Sequence, residues 1–410
     1  MKLRQIILIL FALVLISVLG AETIWVVNSQ SRTLSRIDTD NAQAENNFAV
    51  LGNSPNKLAV SEDALWVVNS GDNSIQKIDP VSGQTLANYL VEVGSNPWDM
   101  VLHEGFGYIS GLFTGKIYKM DLDTGEVVAS VYAGVAPEGM AIYNEKLYAV
   151  CSGDYMLDHA GSALVVIELD SFSIVHDIEM PANPQYVVVH EENIHVSCTG
   201  NWADISGQIV ILDEDADIIT TFELGRTPGN IWFNPEGVAF VADSSGDAMY
   251  SYYFDGFEAE ALSAPAFSAS DICGSDQFIA LLLPNWGDNG TVEVYDEDFI
   301  PWGSYTVGMM PSDIKIWAEP VSISDEVAPA AIFGVYPNPV HQSGMLKLEG
   351  EMFGETTVSI FNLRGQLVKK NMLRQNDRNL DISGLNSGIY FYQVNDGKSR
   401  ASGKFIVINS

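Results

Sequence analysis

The chain has little positive charge. Its 410 residues include 20 Lys and Arg against 53 Asp and Glu, a formal net charge of −33. The imbalance is local: residues 21–332 carry 9 basic and 47 acidic side chains, net −38, whereas residues 333–410 carry 9 basic and 6 acidic, net +3. A surface so acidic repels phosphate backbones, which argues against nucleic acid as a partner. It attracts cations and keeps an exported protein soluble. Cysteine is scarce too. With three residues, Cys151, Cys198 and Cys273, at least one thiol stays unpaired. Cys151 and Cys198 hold the same place in two similar stretches, LYAVCSG and IHVSCTG, which sets them on neighbouring sheets rather than face to face. Buried free thiols are the expectation.

Helical periodicity is missing throughout 23–318, and so are the short catalytic signatures. There is no Gly-x-Ser-x-Gly elbow, no phosphate loop and no cysteine–histidine pair at matched positions. The six histidines make no ligand pattern; His190 and His195 fall across a predicted hairpin with no carboxylate placed as a base. The run DEDAD (213–217) lacks the glycine and distal glutamate of a calcium loop and reads as a solvated hairpin. No cofactor is identified and no metal site is assigned; calcium is the one ion the carboxylate-rich loops could take. No apolar run is long enough to be a stable transmembrane segment. The longest, Ile6–Leu19, follows Lys2 and Arg4 and precedes Gly20 and Ala21. Residues 1–21 therefore read as a secretory signal, and no cysteine at the junction suggests a lipoprotein.

What is present is repetition. TIWVVNSQSRTLSRID (23–38) returns as ALWVVNSGDNSIQKID (64–79). The third residue of this strand recurs as Trp25, Trp66, Tyr108, Tyr148, His195, Phe240 and Ile279, at steps of 39 to 47 residues. A proline after a small-residue turn runs in parallel: Pro55, Pro97, Pro137, Pro184, Pro228 and Pro311, with Ala269 in the missing place. Each of these seven copies holds four short runs rich in Val, Ile, Tyr and Trp, separated by turn residues, as in a propeller blade. The first copy begins just after its proline strand and the last ends with one. Residues 312–318 should therefore complete the blade begun by 24–51 and remove the open edge. The chain is predicted to be all-β, a seven-bladed β-propeller at 22–318, a linker at 319–332 and a small β-sandwich at 333–410.

Copies of the form LWVVNSGDNSIQKIDPVSGQ…VGSNPWDMVL resemble the YVTN, or YncE-like, seven-bladed propellers. That resemblance is specific for the fold and leaves activity open, since such propellers include binding proteins, surface-layer proteins and lactonase-like enzymes. The tail resembles the type IX secretion C-terminal sorting domain (type A) of Bacteroidota and related phyla. The resemblance rests on Pro337, Asn338 and Pro339, on the block around Arg364–Val368 with Gly365, on Leu385–Tyr390 with Gly388 and Tyr390, and on GKFIVI with Lys404. It implies an outer-membrane translocon as the partner of 333–410, and delivery outside the cell, either released or held at the surface.

In propellers ligands meet the face where loops converge on the axis. The residues after the proline position form a candidate ring there: Asn56, Trp98, Glu138, Gln185, Gly229, Ser270 and Ser312, followed by Lys57, Asp99, Gly139, Tyr186, Asn230, Asp271 and Asp313. Insertions at 151–164, 198–209 and 283–294 should rise on the same face and present Tyr155, Trp202 and Trp286. The candidate binding residues are thus Trp98, Glu138, Gln185, Tyr155, Trp202 and Trp286, for an extracellular carbohydrate, peptide or surface protein. The alternative is a metal-assisted lactonase-like or other hydrolase at the channel mouth. No catalytic residue is assigned.

Overall fold

The computed structural model describes residues 22–39, 41–263, 266–296, 298–318, 334–342, 345–349, 356–362, 367–374, 378–395 and 400–408. The signal segment 1–21, the linker 319–332 and Gly365 lie outside them. The chain divides into two compact units, 1–321 and 322–410.

Among the described residues, the first unit contains seven four-stranded antiparallel sheets. Six follow the chain in order, with innermost strands Pro55–Val60, Pro97–His103, Pro137–Tyr143, Pro184–His190, Pro228–Phe233 and Asp271–Gly274. The seventh, blade 1, takes its innermost strand, Pro311–Ala318, from the far end of the unit and pairs it with Glu22–Asn28. Numbering then runs to blade 7 at Asp271–Gly274. Successive innermost strands touch around the whole circle, Pro311–Ala318 meeting Pro55–Val60, so the ring is closed. Each interface between blades is filled by apolar side chains from both sheets. One such cluster is Trp25, Leu34, Phe48, Leu58, Leu65 and Val67, and another is Tyr148, Val150, Val166, Val187, Val196 and Val210. These residues alternate along their strands, as a sheet packed on both faces requires.

The proline marker has a local cause. Before it, Ser54, Asn96, Ala136, Asn183 and Met310 take left-handed φ values of +46 to +62°. This turns the preceding carbonyl back onto the same blade. The carbonyls of Ser54, Asn96, Ala136 and Asn183 accept from the amides of Ser70, Leu112, Ser152 and Thr199, at 2.8 to 3.2 Å. Small or amide side chains tolerate that backbone, and the proline fixes the next residue as extended. These five innermost strands thus start with the same turn.

The second unit, among the described residues, has a three-stranded sheet and a five-stranded sheet. The larger runs Val340–His341, Arg400–Ile408, Gly388–Asn395, Thr356–Phe361, Leu367–Leu373 in that order. One core, including Leu346, Leu348, Val358, Ile360, Tyr390 and Phe405, lies between them. Asn338 ties the opening motif to the last strand: its Nδ2 donates to the Lys404 carbonyl at 3.1 Å and its Oδ1 accepts from the Ile406 amide at 3.0 Å. Tyr390 stacks on Phe405 at 5.7 Å and donates its hydroxyl to the Asn386 carbonyl at 3.0 Å. Pro337 and Pro339 flank Asn338, and Gly388 opens the strand that carries Tyr390. No helix among the described residues is long and apolar enough to cross a membrane.

Candidate functional site

The innermost strands bring two different environments to the loop-bearing face. At the axis is an ion cluster. The Lys57 ammonium lies 3.1 Å from Asp313 and 3.7 Å from Asp271, and 5.3 Å over the Tyr186 ring. Burial alone would lower the pKa of Lys57, but Asp313 and Asp271 hold it well above its ordinary value. Burial raises Asp271 and Asp99, against the pull of Lys57. These carboxylates also join blades. Asp313 accepts from the Leu58 amide at 2.8 Å, Asp99 from the Met140 amide at 3.1 Å, and Asp271 from Asn230 Nδ2 at 2.7 Å. Each thus spends at least one carboxylate oxygen on holding the ring together, while Asp271 Oδ2 is buried with no hydrogen-bond partner. Trp98 and Gln185 line a cavity of about 310 Å³ beside this cluster, with Lys57, Tyr186 and Lys315.

Off the axis, between blades 3, 4 and 5, lies a larger cavity of about 660 Å³. Its wall includes Phe113 and Tyr132 from blade 3, and Glu138, Ser152, Asp154, Tyr155 and His159 from blade 4. Asn183, Gln185 and Trp202 come from blade 5. Four of the six candidate binding residues meet here: Glu138, Gln185, Tyr155 and Trp202. Trp98 belongs to the axial cavity, and Trp286, 79% exposed on blade 7, lines neither. The three loop aromatics therefore do not meet at one cavity. Their insertions rise from blades 4, 5 and 7, and only the first two are adjacent.

The two insertions are built to hold their aromatics still. Asp154 accepts from the Met156 amide at 2.9 Å and caps the single turn Tyr155–Leu157. Asn201 accepts from the amides of Ala203, Asp204 and Ile205 at 2.9 to 3.0 Å. Each loop opens on a glycine with positive φ, Gly153 at +79° and Gly200 at +78°. A Cβ on either would run into a backbone carbonyl, of His159 or Ile205. Between the loops stands His159, its ring edge-on to Tyr155 at 5.8 Å and 6.1 Å from Trp202. Trp202 Nε1 donates to Ser244 Oγ at 3.1 Å.

Three residues of this wall carry a buried polar atom with no protein partner: Glu138 Oε2, His159 Nε2 and Asn183 Oδ1. All three side chains are at least nine-tenths buried. An unpaired buried group costs about 1–3 kcal/mol, so three around one cavity call for a reason. Burial pushes the Glu138 carboxyl up to about 7, opposed by the Ser152 hydroxyl and the Lys57 ammonium. Such a group gains and loses a proton near neutral pH.

Sequence reasoning does not single out His159 or Asn183. The signal for His159 was its place inside the insertion CSGDYMLDHAGSAL. For Asn183 there was none, because Asn96 precedes its proline in the same way. His195 is buried with Nδ1 2.8 Å from the Tyr252 hydroxyl, and burial drives its pKa down to about 3. The DEDAD run is a turn in which Asp213 accepts from the amides of Asp215 and Asp217 at 3.0 and 2.9 Å. Among the described residues, ligand atoms of His103, Glu104 and Glu145 lie within 4.8 Å of one another, across a hairpin pair the sequence does not connect.

The comparisons bear on each unit. The family described as "Secretion system C-terminal sorting domain" matches residues 334–409. Comparison with curated proteins by sequence finds no match. Among solved structures, a proposed 6-phosphogluconolactonase from Bacteroides uniformis is similar at a TM-score of 0.57 and 11% identity, covering 73% of this chain and 99% of that one. A quinoprotein alcohol dehydrogenase-like protein from Bacteroides thetaiotaomicron is similar at 0.55 and 14%, covering 71% and 77%. Virginiamycin B lyase from Staphylococcus aureus is similar at 0.51 and 14%, covering 63% and 87%. At such identities the likeness is one of fold. The chain is a β-propeller protein with a type IX secretion sorting domain at its C-terminus, a tail that marks it for export to the outer surface or beyond.

Proposed function

We propose that the protein is an extracellular recognition module whose binding site is the cavity between blades 3, 4 and 5. The observation that carries this reading is the convergence of three unpartnered buried polar groups with the rings of Tyr155, His159 and Trp202 on one pocket. Ligand sites are concave and mostly apolar, with a few placed polar groups and perturbed ionisable residues. The carboxylates of the axial cluster hydrogen-bond between blades, which gives them a structural role. The translocon reads the tail; the propeller is the cargo, released or held at the surface.

The test is thermal unfolding of the purified chain against a panel of neutral glycans, amino sugars, short peptides and calcium, with EDTA as control. Binding to the folded state raises stability by about 2.7 kcal/mol at a hundredfold excess over Kd. A shift that disappears in a Tyr155→Ala/Trp202→Ala variant supports the reading. A shift with calcium alone, unchanged in that variant, moves the site elsewhere.

A second reading, a lactonase-like or other hydrolase, is favoured by the Glu138 carboxyl near 7 in the same cavity as His159, since a general base works best with a pKa near the operating pH. It requires turnover that Glu138→Gln abolishes while ligand binding persists.

A further inference from the structure

The hydrogen-bond bookkeeping of the cavity wall indicates what kind of group enters it. Asn183 Nδ2 is spent on the Gly200 carbonyl at 2.9 Å, which fixes the amide's orientation and leaves Oδ1 facing the wall as an acceptor. His159 Nδ1 lies 2.7 Å from the Ser152 carbonyl, so that nitrogen must carry the proton. In the tautomer this selects, Nε2 is the ring's acceptor, and it has no protein partner. Ionised Glu138 offers Oε2. The three orphaned groups are therefore all acceptors, and neither Lys nor Arg lines the cavity.

Resting on the reading of this cavity as a recognition site, we infer that its ligand is a small organic cation bearing a primary ammonium group, seated against Glu138, Asn183, His159 and the rings of Tyr155 and Trp202. An ammonium brings three N–H donors and no lone pair to compete. A hydroxyl brings one donor and two lone pairs, and a carboxylate or phosphate brings acceptors only. The aromatic rim favours the same charge, because the negative ring faces attract cations. So does the field of residues 21–332, with their net −38. The amine can be carried on a sugar ring or on an alkyl chain; both share the recognised chemistry.

The experiment is isothermal titration of the full purified chain with two matched pairs, glucosamine against glucose and cadaverine against 1,5-pentanediol. At least one amine is expected to bind at least about tenfold more tightly than its hydroxyl counterpart, the usual worth of a charge-assisted hydrogen bond. Glu138→Gln, which keeps the shape, should remove about that factor, and Trp202→Ala, on an exposed loop, should weaken amine binding without unfolding the chain. Which pair responds distinguishes the two sources. If glucose or the diol binds as well as its amine and Trp202→Ala abolishes both, the ammonium inference falls while the cavity remains a recognition site. If amines bind unaffected by either variant, both readings fall. If no amine binds at millimolar concentration, the ammonium inference is wrong.

Discussion

Asp313 and Lys57 stand 256 residues apart in the chain and 3.1 Å apart at the propeller axis. The other Asp313 oxygen takes the Leu58 amide at 2.8 Å, so one carboxylate neutralises a buried cation and joins blade 1 to blade 2. This is where the ring closes. The joint couples the two ends of the unit, and its loss should be felt by every blade.

Replacing Asp313 by Ala strands the Lys57 ammonium and the Leu58 amide. Removing one partner of a buried pair costs about 3–5 kcal/mol, and Asp271, 3.7 Å from Lys57, offsets part of this. Urea unfolding should show a loss of about 3 kcal/mol. A Lys57→Met/Asp313→Asn variant should recover only part of it, because the stranded ammonium is gone but the buried Asp271 carboxylate loses the same cation.

Glu138 gives stability a defined pH dependence. Its folded pKa of about 7 lies above the ordinary 4.5, so between those values the native state holds a proton the unfolded chain has released. Stability from this group is therefore greatest at low pH and falls as pH rises to about 7, by ~3 kcal/mol in all. The ionisable groups coupled to it are Lys57, Cys151 and Tyr186. Glu138→Gln lacks the slope. The stability difference between variant and parent should shift in the variant's favour by ~3 kcal/mol between pH 4.5 and about pH 8. Parallel curves would show that Glu138 is not shifted.

The three loop aromatics should separate in behaviour. Tyr155→Ala and Trp202→Ala are expected to abolish a ligand-induced thermal shift, and Trp286→Ala to leave it intact. None should cost more than about 1 kcal/mol of stability, since each ring is exposed by 44 to 79%.

Cys151, Cys198 and Cys273 are free, and burial raises all three thiols; Cys151 reaches about 12. Thiolates are the reactive form. A thiol reagent at neutral pH should leave the native chain unlabelled and modify three cysteines per chain after unfolding. Reduction should not change the melting temperature.

How much of this could be read from the sequence follows from the physics of each feature. The repeat was legible because five of the seven innermost strands start with the same turn, a left-handed residue and then proline, as at Ala136–Pro137 and Asn183–Pro184. Ring closure was legible because the repeat phase begins and ends in mid-blade. The cavity was only half legible. Tyr155 and Trp202 announced themselves as aromatics in insertions, but their meeting across His159 depends on blades 4 and 5 being neighbours. Trp98, Glu138 and Gln185 share one repeat position and yet differ in place: Trp98 lines the axial cavity, Glu138 the outer one, and Gln185 both. Asn183 and Asn96 are alike in sequence. Asn183 becomes an orphaned acceptor because Gly200 in its own blade's insertion claims its amide, whereas the Asn96 amide nitrogen lies near the Ser70 carbonyl of the preceding blade.

The most direct measurement is a crystal structure of the chain grown with whichever panel compound stabilises it most. The compound should lie between Tyr155, His159 and Trp202, with a donor within hydrogen-bond distance of Glu138 or Asn183. Density at Trp286, or at the Lys57–Asp313 pair on the axis, with the blade 3–5 cavity unoccupied, would contradict the assignment of that cavity as the recognition site.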